Sequence, residues 1–293
     1  MLLWICLASM LALAQATDAP QAAMNRLLDA DRSFSAAAAG KAPVDALAAM
    51  FADDVTVPAG ATFVQGKANA IAAMRGNPDN LVGGVEWGPI GGGISADGTH
   101  GFTFGYMTAS KTDESKVPLK YLAYWVRGAD GWRVAVYRRR PRAEGNVSLT
   151  MMKAALPARM MSASDDAGKT THFGDSLVAA EKAFSDLAQK VGLQAAFAQN
   201  GRADAINMGG PKAAAFIVGA QAISQSVGEG APADRSELEW SADRVLVASS
   251  GDLGVTIGMI RVHTPEAGQP ASFPFFTIWR RDDPSQPWRY IAE

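Results

Sequence analysis

Apolar positions along this chain change their period once, and then repeat the change. In residues 20–39, Met24, Leu27, Leu28 and Phe34 recur at the three-to-four spacing of one helix face, and Gly40 closes the run. The pattern predicts a shorter helix over 44–51 behind Pro43, a strand over 54–58, and a helix over 67–74 entered through Gly66. The period then drops to two. Residues 85–90, 101–110, 119–127 and 132–139 read as strands, rich in aromatic and β-branched side chains and punctuated by Gly and Asp. Periodicity lapses between 141 and 173, where a short helix over 149–161, broken at Pro157, is the one element expected. The second half restarts with helices over 176–191 and 193–198, a strand over 205–208 and a helix over 220–227. Strands through Trp240, Val255, Trp279 and Trp288 follow. Helices followed by an antiparallel meander predict an α+β fold.

The two halves are copies. Trp87 and Trp240 lie 153 positions apart, and the same offset pairs Gly66 with Gly219, Gly101 with Gly254, Thr103 with Thr256, and Gly105 with Gly258. Trp125 and Trp132 find their counterparts in Trp279 and Trp288 with loop-sized slippage. The expected organisation is a first domain over 17–142, a linker over 143–172 and a second domain over 173–293.

Composition changes this picture little. With 48% hydrophobic and 19% charged residues and a net charge of −2, the 293-residue chain has material for two cores and no electrostatic reason to meet nucleic acid. Residues 2–14 are almost continuously apolar, too short to span a bilayer comfortably, and Ala14-Gln15-Ala16 follows as a small-x-small cleavage pattern. Residues 1–16 therefore read as a signal peptide of a periplasmic or secreted protein with no stable membrane insertion after its removal. The single cysteine, Cys6, would leave with it, so a mature chain has no thiol for disulfide, metal or nucleophile.

The second half carries a run of features: the Ala-Ala-Glu-Lys-Ala-Phe helix ending at Phe184, Gly219 before Ile223, Leu238-Glu239-Trp240, the Gly251-Asp252-Leu253-Gly254 turn and the closing Trp279-Arg280-Arg281. Together these resemble the SnoaL-like branch of the nuclear transport factor 2-like (ketosteroid isomerase-like) superfamily, and the first half resembles it more loosely. The resemblance implies two cone-shaped domains, each a bent antiparallel sheet wrapped around N-terminal helices with a pocket between them. Because that superfamily hosts isomerases, lyases and binding modules, fold leaves function open. Related sequences place a carboxylate five residues after the last-strand Trp; here Tyr137 and Glu293 hold that place.

Candidate chemistry gathers on the strand at 101–110, whose alternation puts His100, Phe102, Phe104, Tyr106 and Thr108 on one face. The second copy has Leu253, Val255, Ile257 and Met259 there, so the first copy has gained an imidazole and a phenol. Aromatic walls with a few polar groups are how small-molecule sites are built; a core strand with a satisfied hydroxyl is the other reading. Asp54, where the second helix hands over to the first strand, is the acid a ketosteroid isomerase-like enzyme would use with a Tyr donor, or else a solvated helix-end charge. Asp31 and its counterpart Glu181 border the apolar stripe and read as a helix-surface or buffering pair. Gly174-Asp175-Ser176-Leu177 spells a serine-esterase motif without its strand or its Asp-x-x-His, and Asp175 or Ser176 reads instead as a helix cap. Three isolated histidines predict no metal site, and Gly91-Gly92-Gly93 lacks the setting of a phosphate loop. No cofactor is expected.

The expectation is an exported tandem protein that binds a small apolar or aromatic molecule in its first domain. Ligand-binding residues are His100, Phe102, Phe104, Tyr106 and Tyr137, and the second domain is mainly structural. An isomerase or lyase using Asp54 and Tyr106, or a ligand-free interaction module, are the competing classes. Intrachain pairing through the sheets is expected, made close by the small residues Gly101, Thr103 and Gly105.

Overall fold

Repeated pattern becomes repeated topology. The structure, a computed structural model, describes residues 19–293 apart from 112 and 114, so the signal-peptide reading and Cys6 lie outside the described residues. The first half runs α1 (Pro20–Ala36), α2 (Pro43–Met50), β1 (Phe51–Ala59), β2 (Thr62–Gln65), α3 (Lys67–Arg75), α4 (Asp79–Val82), β3 (Val85–Ile94), β4 (His100–Ser110), β5 (Lys116–Gly128) and β6 (Gly131–Pro141). The second runs α5 (Ala167–Asn200), β7 (Gly201–Asn207), β8 (Ile217–Val218), α6 (Ala220–Gly228), β9 (Leu238–Val247), β10 (Leu253–Val262), β11 (Ser272–Arg280) and β12 (Arg289–Ala292). Strand orders correspond term by term: β2-β1-β6-β5-β4-β3 and β8-β7-β12-β11-β10-β9. The meanders are antiparallel, but β1 joins β6 and β7 joins β12 in parallel, so each sheet is mixed.

The shared glycines have local reasons. A Cβ on Gly105 would stand 2.1 Å from the Gly88 carbonyl, and one on Gly258 would stand 1.9 Å from that of Ser241. Both sit where the register to the neighbouring strand slips, and the bulge bends the sheet around its helix. Gly66 and Gly219, with φ of 92° and 90°, turn the chain into α3 and α6 in a conformation other residues resist.

Each cone encloses its own core. Met24, Leu27 and Leu28 of α1 meet Trp87, Met107 and Trp125 in the first; Leu177 and Phe184 of α5 meet Trp240, Phe275 and Trp279 in the second. A third core lies between the sheets, where Phe102, Phe104 and Tyr124 meet Val255, Ile257 and Phe276. This reverses the expected use of the strand faces. The small-residue face carrying Gly101 and Thr103 turns into the cone, where Leu27 presses on Gly101, while the large apolar face joins the two domains. Apolar area removed from water, not closeness of backbone, decides which face is shared.

Two connection readings also change. Residues 149–161 form no helix; they run beside β3, with Met152 N–H donating to Ile90 O, Ala155 N–H to Gly92 O and Met161 N–H to Ala96 O. Gly93 is what admits them, because a Cβ there would meet the Ala155 carbonyl at 2.8 Å, whereas Cβ atoms on Gly91 and Gly92 would meet Phe104 and Phe102 of β4. Helix α5 starts at Ala167, where the Asp166 side chain accepts from the Lys169 amide; neither Asp175 nor Ser176 is the cap. The helices expected over 176–191 and 193–198 are both present within α5, parted at Gly192, whose φ of 77° and ψ of 163° are not helical.

Candidate functional site

The face predicted to line a first-domain pocket lies in the interdomain core. Phe104 packs edge-on against Phe216 of the second domain at 5.1 Å, and Tyr106 tilts on the same ring at 5.5 Å with Arg142 over its other side. Phe102 is fully buried beside Phe104. The His100 Nδ1 lies 2.8 Å from the Tyr124 hydroxyl, and burial holds the imidazole down near a pKa of about 4, neutral at physiological pH. Asp54 is exposed and ion-paired with Arg244 of the second domain, whose Nη1 also donates to the Asp54 carbonyl and the Thr56 hydroxyl. Asp54 and Tyr106 are not brought together around a shared space: one sits on an exposed domain bridge, the other against Phe216. Tyr137 alone of the predicted set turns into the first cone, beside Phe51 and Met107.

What the sequence reading placed on the helix surface stands at the centre of each cone. Asp31 is fully buried and accepts from Trp87 Nε1 at 2.7 Å and from the Tyr121 hydroxyl at 2.7 Å. Glu181 is fully buried and accepts from Trp240 Nε1 at 2.6 Å, Trp279 Nε1 at 2.9 Å and the Thr256 hydroxyl. Helix spacing aims each carboxylate at the sheet, and strand alternation aims the tryptophans back. Asp31 is one methylene shorter, so Trp125 Nε1 donates to Thr103 Oγ1 instead, and the Tyr121 hydroxyl makes up the difference. Ser35 and Ser185, a pair the sequence reading missed, accept from the backbone amides of Trp87 and Trp240 and lock each helix to its strand. Burial raises both carboxyl groups, Glu181 to a pKa of about 7, against the pull of their hydrogen-bond donors.

Where the first cone has Tyr121 and Tyr137, the second has Phe275 and Glu293. Both line a cavity of about 120 Å³, walled by Phe184, Phe197, Leu193 and Trp240 and entered by few polar groups besides Thr277 and Glu293. The Glu293 Oε1 is buried with no hydrogen-bond partner. Burial, reinforced by the charge of Glu181, lifts its pKa to about 8; Asn207 and Arg138, the latter from the first domain, pull the other way. An uncharged carboxylic acid with a free oxygen in an aromatic chamber can donate one hydrogen bond to a guest or carry one proton. The clue in the sequence was Glu293's place five residues after Trp288, with no sign that the helix side would leave room beside it. Among the described residues no group of three or more His, Cys, Asp or Glu is placed to hold a metal ion, and no helix is long and apolar enough to cross a membrane.

No family model and no curated protein sequence matches the chain. Among solved structures it is similar to an NTF2-like protein with a cystatin-like fold from Novosphingobium aromaticivorans, at 14% identity over 41% of this chain and 81% of that one, TM-score 0.32. It is similar also to an NTF2-like protein from Shewanella oneidensis, at 12% identity over 41% of this chain and 98% of that one, TM-score 0.31. A third is a ketosteroid isomerase-like protein from Erwinia carotovora atroseptica, at 14% identity over 45% and 99%, TM-score 0.29. These likenesses concern fold alone. Each half of the chain is an α+β unit, a six-stranded mixed sheet with its own helices.

Proposed function

We propose that the chain binds a small, ring-sized, largely apolar molecule inside its second cone, held by one hydrogen bond from the protonated carboxyl of Glu293. The observation that carries this is the unpartnered, buried Oε1 beside an aromatic-walled cavity. A buried polar atom left unpaired costs about 1–3 kcal/mol, a penalty that a bound guest with an acceptor atom removes. The cavity volume suits a guest near the size of benzene, which an engineered apolar cavity of about 150 Å³ accepts. This reading puts the site in the second domain, because Phe102, Phe104 and Tyr106 of the lining expected in the first are spent on the interface.

Cyclohexanone is a suitable probe, with benzene as the guest lacking an acceptor. Calorimetric titration of cyclohexanone should show saturable binding at pH 6 that weakens as pH rises through about 8, where the Glu293 proton is lost. Glu293→Gln keeps a donor and should bind with no such pH dependence; Glu293→Leu should bind the ketone no better than benzene. Wild-type binding indifferent to pH and to both substitutions would overturn the assignment.

A second reading is favoured by the place of Glu293 at the cavity wall with a free oxygen, its carboxyl group lifted by burial to a pKa of about 8. Poised there, it meets the condition for general acid–base work on an enolisable carbonyl compound. Protein-dependent α-deuteration of cyclohexanone in D2O, abolished by Glu293→Gln, supports it; exchange no faster than in buffer counts against it. Export rests on the apolar segment at 2–14 and Ala14-Gln15-Ala16, and the intact mass of the natively expressed protein should show a start near Thr17.

A further inference from the structure

A second recess, of about 260 Å³, opens in the first domain between the β1–β2 hairpin, α3 and β6. Its walls are apolar, with Val57 and Pro58 from the hairpin and Ala73 and Met74 from the helix, and its polar groups are Asn80, Tyr137, Arg138 and Arg139. No acidic residue lines it. Asp54 of β1 is spent on Arg244.

Arg139 makes no ion pair among the described residues. One of its Nη atoms donates to the Asn80 Oδ1, and the Asn80 amide in turn donates to the Met74 carbonyl at 2.7 Å, so the guanidinium is oriented from below by a buried asparagine tied to the end of α3. Tyr137 stands two positions earlier on the same strand face. It is almost wholly buried, and its hydroxyl has only the Met107 thioether, 3.7 Å away, as acceptor. A thioether is a weak acceptor, so the phenol has a hydrogen bond to give. The surrounding charge is positive: Arg138 and Arg140 flank Arg139 on β6, Lys120 is opposite Arg140 on β5, and Arg142 follows. Arg138, Lys120 and Arg142 are occupied with backbone carbonyls, not carboxylates.

From this geometry we infer that the first-domain recess binds a small monocarboxylate with an apolar body, its carboxylate on Arg139 and Tyr137 and its ring or short chain against Val57, Pro58 and Met74. A planar guanidinium meets a carboxylate through two parallel hydrogen bonds, a geometry lysine cannot copy. This site has a lining separate from the cavity in the second cone, although Arg138, at its edge, also lowers the pKa of Glu293.

Benzoate is the probe, and benzamide, its uncharged isostere, the control. Calorimetry on the full chain should give saturable benzoate binding, with benzamide at least tenfold weaker. Arg139→Gln should weaken benzoate at least tenfold, with Arg139→Lys between the two. Ala73→Phe fills the recess without touching the arginine and should abolish binding, which keeps the test decisive if Arg139→Gln fails to fold. Glu293→Leu should leave benzoate affinity unchanged, so failure here and failure in the second cone are told apart. Absence of saturable benzoate binding, equal binding of benzamide, or full affinity in Arg139→Gln or Ala73→Phe would overturn the inference.

Discussion

Glu181 shows how much one buried carboxyl group decides. Its three donors come from strands that lie 59, 75 and 98 positions away along the chain, so no local spacing could announce them. What the sequence did display was the repetition of an acid beside the apolar stripe, at Asp31 and Glu181, and repetition of tryptophan and threonine at one fixed offset. Read jointly these are a donor–acceptor set; read one residue at a time, an acid flanking a stripe looks like a helix-surface charge. The raised pKa gives a testable sign. A folded-state value of about 7 against an ordinary 4.5 means the folded chain holds the proton more tightly than the unfolded one. Stability is then full below about pH 4.5 and declines as pH rises to and through 7, with a further decline toward 8 from Glu293. For Glu181 alone the fall is roughly 3 kcal/mol. Urea denaturation across pH 5–8 should show that slope in the wild type and a flatter one in Glu181→Gln, which is also less stable at pH 5 because its amide faces tryptophan donors. An unchanged slope in the variant would mean that Glu181 does not titrate in this range. Trp240→Phe removes a donor to the buried carboxyl and should cost about 1.5–3 kcal/mol.

Between the strands, two turns join the domains in a way no local spacing announces. The turn leading into β4 presents Asp97, and the turn leading into β10 presents Asp252; each reaches across the domain boundary. Asp97 accepts from the Ser250 amide at 3.0 Å and the Ser249 hydroxyl at 2.8 Å, while Asp252 accepts from the Ala96 amide at 3.1 Å and faces Arg280 at 3.6 Å. Arg280 itself donates to the Ile94 and Ala155 carbonyls, tying β11, β3 and the connection between domains into one buried polar clasp. In the sequence Asp97-Gly98 and Gly251-Asp252 are ordinary turn pairs, and turn chemistry explains them completely until the partner domain is in place. The same holds for Gly93, whose meaning depends on a segment some 60 residues later lying against it. Burial raises the Asp97 carboxyl, but hydrogen bonds from Ser95, Thr99 and Ser249 outweigh it and hold the pKa below its ordinary value, so its contribution is present near neutrality and is lost as pH falls through that depressed value. Asp97→Ala leaves the Ser250 amide buried without its acceptor and should lower stability by about 3 kcal/mol, read as a shifted urea midpoint at unchanged m-value. A loss under about 0.5 kcal/mol would assign the interface energy to its apolar part alone.

At the scale of the molecule, each copy supplies the surface that covers the other's sheet face. Periodicity was enough to reveal two α+β units, since a period-two run after helical runs appears twice. It was not enough to orient them, because both faces of β4 and β10 carry few charges, and an alternation of large apolar with small residues is compatible with either face being shared. The structure resolves the choice by volume: glycine and threonine fit under the helices, and phenylalanine, valine and isoleucine meet between the sheets. The consequence is that neither cone covers its outer face alone. Phe102, Phe104, Leu122 and Tyr124 on one sheet, and Leu253, Val255, Ile257 and Phe276 on the other, would become contiguous exposed patches of a kind that single soluble domains rarely carry. Lys120 sharpens the point, since its buried ammonium is held by the Ala213 and Ala215 carbonyls of the other domain and has its pKa pushed down to about 8 by burial. Residues 19–142 and 166–293 expressed separately should each aggregate or self-associate, and should recover a one-to-one complex when refolded together. The intact chain should sediment as a monomer. Two halves that are each soluble, monomeric and indifferent to one another would show that the shared core does not hold the pair together, and Phe104→Asp in the intact chain, expected to loosen the domains, would then be tolerated.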